Sequence, residues 1–421
     1  SVPDDSYGND VSNIARLYKL YPDDVSNVIG GKDIAYLSVY IDGIGTSSGE
    51  DDSIYAQGTG QGEQGVLARV EQAPEEILEA LGQFASLNKE IQINKVEFDV
   101  FGFSRGAAAA RHFANEIVKG HHGVLSKGIP SGMGVFSKAF DWEGKANVSI
   151  NYIGLFDTVA AIVDPLVGDF SGHNKINTGV NLYLAPSIAT KIVQLVAKDE
   201  YRYNFSLNSA GAADIVLPGA HSDLGGGYLP NSTEHVLLAK PQRSLVNQHT
   251  PITAAPSYLY AQKAIAELEV RLRPYKLPFQ VRAWEIQADR FAKGDRFKGR
   301  YVYAAPSSER EVSSDLALVY FRIMRELAVQ NKVPFNEVDH GDPTLVLPTE
   351  LEAISEKLTA YALGQSSVAN LTSEEIAVLY QRYIHMSANW NAAKGANTSS
   401  FDVVFINRPT DNYKRMVFEN E

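Results

Sequence analysis

The stretch Lys95–Gly106, Lys-Val-Glu-Phe-Asp-Val-Phe-Gly-Phe-Ser-Arg-Gly, decides the fold class of this 421-residue chain. Lys95–Phe103 alternates in polarity, which predicts a β-strand. The alanine-rich stretch Gly106–Val118 that follows it predicts a helix. Ser104 therefore lies at a strand-to-helix turn, inside a Gly-x-Ser-x-Gly pattern. Such a turn is typical of a serine nucleophile, because it holds the hydroxyl exposed and a Cβ at the glycines would clash with the strand and helix.

Further stretches repeat the alternation of strand and helix. Apolar runs predict strands at Ile34–Ile41, Val148–Phe156 and Ala213–Leu217, and spacings of three and four between apolar residues predict a helix over Val66–Asn88. Strands that alternate with helices favour a mostly parallel sheet with helices on both faces. The fold class that follows is α/β, of the α/β-hydrolase kind.

A serine hydroxyl needs a base to become a nucleophile, and the base needs an acid to orient it. Asp157 directly follows the strand Val148–Phe156, and His221 closely follows the strand Ala213–Leu217. Ligands bind at the carboxyl ends of parallel strands, where both residues are expected. The chain order Ser104, Asp157, His221 is also the order of the α/β-hydrolase triad.

Each of these three assignments has an alternative. Ser104 in a tight turn is also compatible with a helix-capping serine, and Asp157 with the N-cap of the turn that follows it. His385 is an alternative base to His221, with Asp223 as its acid.

The oxyanion of an acyl-transfer intermediate needs two backbone N–H donors. The amide of Arg105 at the predicted helix start is one candidate. The second donor usually comes from a loop after an earlier strand, which here is Asp42–Thr46 with Gly43 or Ile44 as donor. This chemistry requires no cofactor, and the scattered aspartates give little support for a metal site.

Composition excludes several other classes of function. The net charge of −12 and pI of about 5.3 disfavour a nucleic-acid partner. The absence of cysteine excludes disulfides, thiolate metal sites and a cysteine nucleophile. No apolar run reaches the length of about 18 residues that a membrane span needs. The polar, acidic start Ser1–Ser6 predicts no Sec-type signal peptide.

The predicted organisation is a catalytic core over residues 1–256 and a helical accessory, membrane-facing region over 257–421 that returns to the core. A segment without an obvious strand, near 164–207, is a candidate lid. The polar stretch Pro230–Pro256 is the best candidate for an insertion or boundary. Periodicity predicts C-terminal helices, of which the third opens with Thr349 and Glu352 at capping-box spacing, and a last strand; their ranges are Ser257–Arg271, Ser313–Gln330, Thr349–Ala362, Ser373–Ala388 and, for the strand, Phe401–Ile406.

Four motifs together resemble a known family. They are Tyr40–Thr46 (YIDGIGT), Gly102–Ala107 (GFSRGA), Gly154–Val159 (GLFDTV) and Pro218–Tyr228 (PGAHSDLGGGY). In this order they are similar to the α/β-hydrolase domain of type VI secretion lipase effectors, the Tle phospholipases. The resemblance is strong over residues 34–230.

The resemblance implies a secreted antibacterial phospholipase that attacks membrane lipids in the periplasm of a rival cell. By motif match it implies Ser104 as nucleophile, Asp157 as acid and His221 as base, with a lid or membrane-facing module in the remaining segments. It also implies an immunity protein and a secretion spike carrier as partners. A carboxylesterase for soluble esters and a non-catalytic binding module are the alternatives to be separated from it.

Overall fold

The centre of the molecule is a sheet of four strands, which run parallel in each neighbouring pair. In spatial order these are β1 (Val96–Phe103), β2 (Val148–Phe156), β3 (Lys191–Ala197) and β5 (Asp214–Leu217). Because the strands are parallel, their carboxyl ends lie at one edge of the sheet. The architecture comes from a computed structural model, which describes residues 11–43, 65–144, 146–160, 179–287, 299–390 and 407–421.

Helices cover both faces of this sheet, as the alternation of the sequence predicts. On one face, alanines of the helix after Ser104 pack with Val100 and Leu155. On the other face, Phe156 and Val193 pack against the helix Leu316–Gln330, which carries Phe321. The helices of the described residues are α1 (Asn13–Leu20), α2 (Val66–Leu87), α3 (Arg105–Ile117), α4 (Val124–Gly128), α5 (His221–Gly225), α6 (Pro256–Arg271), α7 (Leu316–Gln330), α8 (Thr349–Ala362) and α9 (Ser373–Val378).

A second sheet is antiparallel and has β9 (Gly299–Val312) at its centre. β9 pairs with β6 (Ser232–Leu237) and β7 (Gln242–Asn247) along one edge and with β8 (Phe279–Gln287) along the other. The predicted boundary at residue 256 therefore falls between strands of one sheet. The region 257–421 contains β8 and β9 besides its helices, and its α7 packs in the main core.

The segment near 164–207, predicted as a lid without strands, contains β3 of the central sheet. β3 pairs with β2 on one side and β5 on the other, and its last five residues are buried. The lid prediction is thus wrong for this part, because a short apolar strand among polar neighbours carried no clear period. Residues 161–178 lie outside the described residues.

The strand predicted over Ile34–Ile41 does not form. This stretch pairs locally with Asp24 instead: Asp24 N–H donates to the Tyr36 carbonyl at 2.6 Å, and Tyr36 N–H donates to the Asp24 carboxylate at 3.0 Å. Ile34 is 61% exposed, so the run of apolar letters here does not mark a buried strand.

The predicted capping box at Thr349 is also wrong. Pro348 occupies the N-cap of α8, which makes Thr349 the first helical residue. A capping box forms instead at α9, where Thr372 and Glu375 exchange hydrogen bonds.

The helix predicted over Ser373–Ala388 ends early. After α9 the chain makes a π-helical turn over Leu379–Tyr383 and then becomes extended at Ile384. Two short strands, β4 (Leu207–Asn208) and β10 (Val417–Phe418), pair parallel and fix the last residues of the chain against the core. The strand predicted at Phe401–Ile406 lies outside the described residues.

Candidate active site

Ser104 occupies a strained turn between β1 and α3. Its φ of 58° and ψ of −124° define a backbone conformation that residues other than glycine rarely adopt. The turn is tight because a Cβ on Gly102 would lie 2.4 Å from the Gly106 carbonyl oxygen. A Cβ on Gly106 would meet nothing within 4 Å, so packing requires only the first of the two glycines. The Ser104 side chain makes no capping hydrogen bond to α3, which disagrees with the capping alternative.

Asp157 lies beside Ser104 on the neighbouring strand. The register of the sheet pairs Phe103 with Phe156, and Ser104 N–H donates to the Phe156 carbonyl at 3.0 Å. Asp157 is fully buried and has a φ of 47°. Its Oδ1 accepts from Ala197 N–H at 2.9 Å, at the end of β3. The carboxylate is bonded across the sheet rather than to its own turn, so Asp157 does not serve as an N-cap.

His221 opens α5 just after β5 and contacts Asp157. The distance between His221 Nδ1 and Asp157 Oδ2 is 2.5 Å. The imidazole lies between the rings of Phe103 and Phe205, with centroid distances of 4.6 and 4.9 Å. These rings exclude water from the His–Asp pair and place the base next to the residue that precedes Ser104.

The hydroxyl of Ser104 is not hydrogen-bonded to His221 in this structure. Among the described residues it makes no hydrogen bond within 3.5 Å. Catalytic hydrogen bonds are often long in a ligand-free site and tighten when the substrate binds. The structure therefore brings Ser104, Asp157 and His221 to one edge of the sheet, with the contact between His221 and Asp157 formed.

Arg415, near β10, is a site residue that the sequence did not reveal. Its guanidinium binds both oxygens of Asp157, with Nη1 2.6 Å from Oδ1 and Nη2 2.8 Å from Oδ2. Nothing in the local sequence Tyr-Lys-Arg marks it, because the contact joins residues 258 positions apart. Only the fold brings the last residues of the chain to the carboxyl end of β2.

Charges around the site shift the pKa of both partners. Burial raises the pKa of Asp157, but the charges of Arg415 and His221 outweigh burial and hold it well below the usual range. Burial lowers the pKa of His221, and the contact with Asp157 only partly opposes this. The lowered pKa of His221 favours the neutral imidazole, which is the form that accepts a proton.

A second ion pair, between Glu200 and Arg202, lies next to His221. Glu200 is almost fully buried and binds Arg202 through two oxygens, at 3.0 and 2.7 Å. Burial raises the pKa of Glu200, but the opposing effect of Arg202 is larger, so the net shift of this pKa is downward. Glu200 also accepts from the His221 backbone N–H at 3.3 Å, which ties this pair to the start of α5.

The alternative base, His385, does pair with Asp223. His385 Nδ1 lies 2.7 Å from Asp223 Oδ1, and the backbone N–H of His385 donates to Asp223 Oδ2 at 3.1 Å. Tyr228 stacks on the imidazole at a centroid distance of 3.7 Å. Whereas His221 contacts the residue before Ser104, the described contacts of His385 are to Asp223 and Tyr228.

The predicted oxyanion donors are only partly placed. Arg105 is the first residue of α3 and directly follows Ser104. Gly43 is exposed, and its carbonyl accepts from Arg69 at 3.2 Å. Ile44 lies outside the described residues, so the second donor stays a prediction.

Two further features were considered, a metal-binding cluster and a membrane-spanning helix. Among the described residues, His, Asp and Glu side chains form no cluster of three or more with metal-binding spacing. Within the same residues, no helix has both the length and the apolar character to cross a bilayer. The fold and site together define an α/β-hydrolase-like protein, with a parallel sheet whose carboxyl edge carries Ser104, Asp157 and His221.

Comparison with solved structures gives the family. The chain is 32% identical to the Tle1 effector in its structure bound to the VgrG spike of a type VI secretion system, over 98% of this chain and 84% of that one, with a TM-score of 0.75. The chain belongs to the Tle effector family. An uncharacterized protein from Pseudomonas aeruginosa is 17% identical over 76% of this chain and 34% of its own, with a TM-score of 0.31, too low to support an argument. Neither a protein-family model nor a curated protein matches the chain.

Proposed function

We propose that this protein is a serine lipase that hydrolyses acyl esters of membrane phospholipids. The observation that carries the proposal is the buried contact between His221 and Asp157, 2.5 Å long, at the sheet edge where Ser104 sits in its strained turn. Membership of the Tle effector family supports a lipid substrate. The chemistry needs no cofactor.

The reaction starts when Ser104 Oγ attacks the ester carbonyl carbon while His221 Nε2 takes the hydroxyl proton. Asp157 stabilises the resulting imidazolium through Nδ1. The tetrahedral intermediate then collapses: the bond to the alcohol oxygen breaks, and His221 returns the proton to that oxygen. A water activated by His221 hydrolyses the acyl-enzyme and releases the fatty acid.

The negative oxygen of the intermediate needs preorganised donors. We assign the backbone N–H of Arg105 as one of them, because it lies at the N-terminus of α3 immediately after the nucleophile. Gly43 or Ile44 supplies the second donor in this proposal. Loss of one such donor typically lowers kcat by about 10²–10³-fold.

The biological setting in this proposal is antibacterial. The Tle1 effector of the comparison was solved bound to a VgrG spike, which supports a spike carrier for this chain. An immunity protein in the producing cell and delivery to the periplasm of a target bacterium complete the proposal. A VgrG protein from the same bacterium should co-purify with this chain, and its failure to do so would remove the carrier from the proposal.

The decisive experiment compares wild type, Ser104→Ala and a control, Ser86→Ala, on phospholipid vesicles. Ser86 is an exposed serine whose hydroxyl donates to the Gln83 carbonyl of its own helix, so it controls for the loss of a serine hydroxyl. Mass spectrometry should detect fatty acid and lysophospholipid from wild type and Ser86→Ala. Ser104→Ala should release neither, and the products from wild type identify the bond that is cut.

Two other outcomes would change the proposal. Turnover of short soluble esters that depends on Ser104, without vesicle hydrolysis, would make the protein a carboxylesterase. No turnover of either substrate, together with no labelling of Ser104 by a fluorophosphonate, would leave a binding module. Growth arrest of a bacterial host by periplasm-directed wild type, and none by Ser104→Ala, tests the cellular setting.

A further inference from the structure

The guanidinium of Arg415 and the carboxylate of Asp157 form a buried two-point ion pair. Nη1 contacts Oδ1 and Nη2 contacts Oδ2, at 2.6 and 2.8 Å. The Arg415 side chain is 7% exposed and Asp157 is not exposed at all. Two parallel hydrogen bonds fix the plane of a carboxylate as well as its position, which a single contact does not.

The remaining bonds of Asp157 depend on this plane. Oδ1 also accepts from the Ala197 N–H at 2.9 Å, and Oδ2 also faces His221 Nδ1 at 2.5 Å. Each oxygen therefore has one bond to Arg415 and one to another group. Rotation of the carboxylate would break the bond to His221, so Arg415 determines where the acid offers its oxygen to the base.

Arg415 is itself held by the chain segment beside the site. Its Nε donates to the Phe205 carbonyl at 2.7 Å. On the next residue, the Met416 carbonyl accepts from Leu207 N–H at 2.9 Å, where β10 begins to pair with β4. Phe205 also contacts the His221 ring, so one loop places both the arginine and the base.

The charges that face His221 balance when its imidazole is neutral. Asp157 and Glu200 are the anions, and Arg202 and Arg415 are their paired cations. Aromatic rings on β1 and on the loop before β4 also contact the imidazole. A proton on His221 adds a net positive charge to this dry cluster. Removal of Arg415 would instead leave one uncompensated anion beside the imidazole, and that anion would favour the proton.

We propose that Arg415 is a positioning residue that orients Asp157 toward His221 and keeps His221 neutral in the resting enzyme. The catalytic part rests on the proposed function, since it assumes that His221 is the base. The charge coupling between Arg415 and His221 does not depend on turnover. Substrate chemistry remains with Ser104, and Arg415 acts through Asp157.

The test uses the full chain with Arg415→Gln, Arg415→Lys and the control Lys414→Gln, which removes an exposed neighbouring cation. NMR of the imidazole nitrogens follows the titration of His221, which is assigned among nine histidines with His221→Phe. Arg415→Gln should move the His221 midpoint upward by at least about half a pH unit. The acid limb of kcat/KM on a soluble ester should move with it. Lys414→Gln should match wild type in both measurements.

Arg415→Lys separates charge from orientation. A lysine keeps the positive charge but cannot hold both oxygens, so the midpoint should stay near that of wild type while kcat falls about tenfold at unchanged KM. An unmoved midpoint in Arg415→Gln overturns the charge coupling. A wild-type value of kcat in Arg415→Lys overturns the orienting role. This test does not need Arg415→Gln, so it stands even if that variant does not fold. Inactivity of wild type itself would refute the proposed function, while the NMR titration still decides the coupling.

Discussion

Two buried histidine–aspartate pairs lie in this molecule and look alike at first sight. The Nδ1–carboxylate distance is 2.5 Å for His221 with Asp157 and 2.7 Å for His385 with Asp223. Each histidine is 3% exposed and each aspartate is fully buried. By these measures alone either pair is a candidate for a triad.

The two pairs differ in what else they contact. Asp157 has Arg415 as a counter-ion, and His221 lies against Phe103, the neighbour of Ser104. Within the part of the chain that the structure describes, the salt bridge of Asp223 is with His385 alone, and the ring that contacts His385 is that of Tyr228.

The bonds of Asp223 hold loops together. Beyond His385, Asp223 accepts the backbone N–H of Ala220, at 2.8 Å. Among the described residues, Nε2 of His385 is buried without a hydrogen-bond partner. This pair joins the loop that carries His221 to the segment after the π-helical turn. A short His–Asp distance is therefore no evidence of catalysis until the position of the pair relative to a nucleophile is known.

The largest difference between the pairs is expected in turnover. We expect His221→Phe to lower kcat on a soluble ester by about 10³-fold or more, because the base is lost. His385→Phe keeps a ring against Tyr228 and should lower kcat less than about tenfold. Steady-state kinetics of the two purified variants measures both values. A greater loss in His385→Phe than in His221→Phe would make His385 the base and contradict the proposal.

A smaller difference is expected in stability when each aspartate is neutralised. Asp157→Asn leaves the buried Arg415 without its counter-ion, which should lower the free energy of unfolding by about 3–5 kcal/mol. Asp223→Asn removes only a carboxylate bonded to an imidazole and backbone N–H groups, at about 2 kcal/mol. Urea unfolding of both variants gives the two values. Equal losses would show that Arg415 is stable without Asp157.

The smallest effect is expected in the pH dependence of stability. The folded-state pKa of His221 is lowered below its ordinary 6.5 by burial, so the unfolded chain binds a proton more readily than the folded one. Stability should therefore fall as the pH drops below 6.5, at no more than about 1.4 kcal/mol per pH unit for this one proton. The lowered pKa of Asp157 acts in the same direction at more acidic pH, below its ordinary 3.8.

The matched variants isolate the contribution of His221. Urea unfolding at a series of pH values should show it in wild type and in His385→Phe, which both retain His221. His221→Phe should lose it. A slope that persists unchanged in His221→Phe would assign the effect to other groups.

The elements with local signals could be predicted from the sequence. The bounds of β2 match the prediction. β1 begins one residue later than predicted, and α3 begins and ends one residue earlier. The strand-to-helix turn at Ser104 and the positions of Asp157 and His221 after their strands followed from the same signals. Alternation, helical spacing and a Gly-x-Ser-x-Gly turn depend only on residues close in the chain.

Tertiary structure decided everything that joins distant residues. Arg415 reaches Asp157 across 258 positions, and His385 reaches Asp223 across 162. Residues Lys191–Ala197 became a core strand because two neighbouring strands offered their backbone groups, whereas Ile34–Ile41 bonded locally to Asp24. No period or spacing in the sequence encodes these partners, because burial and charge pairing arise only when the folded chain removes water between them.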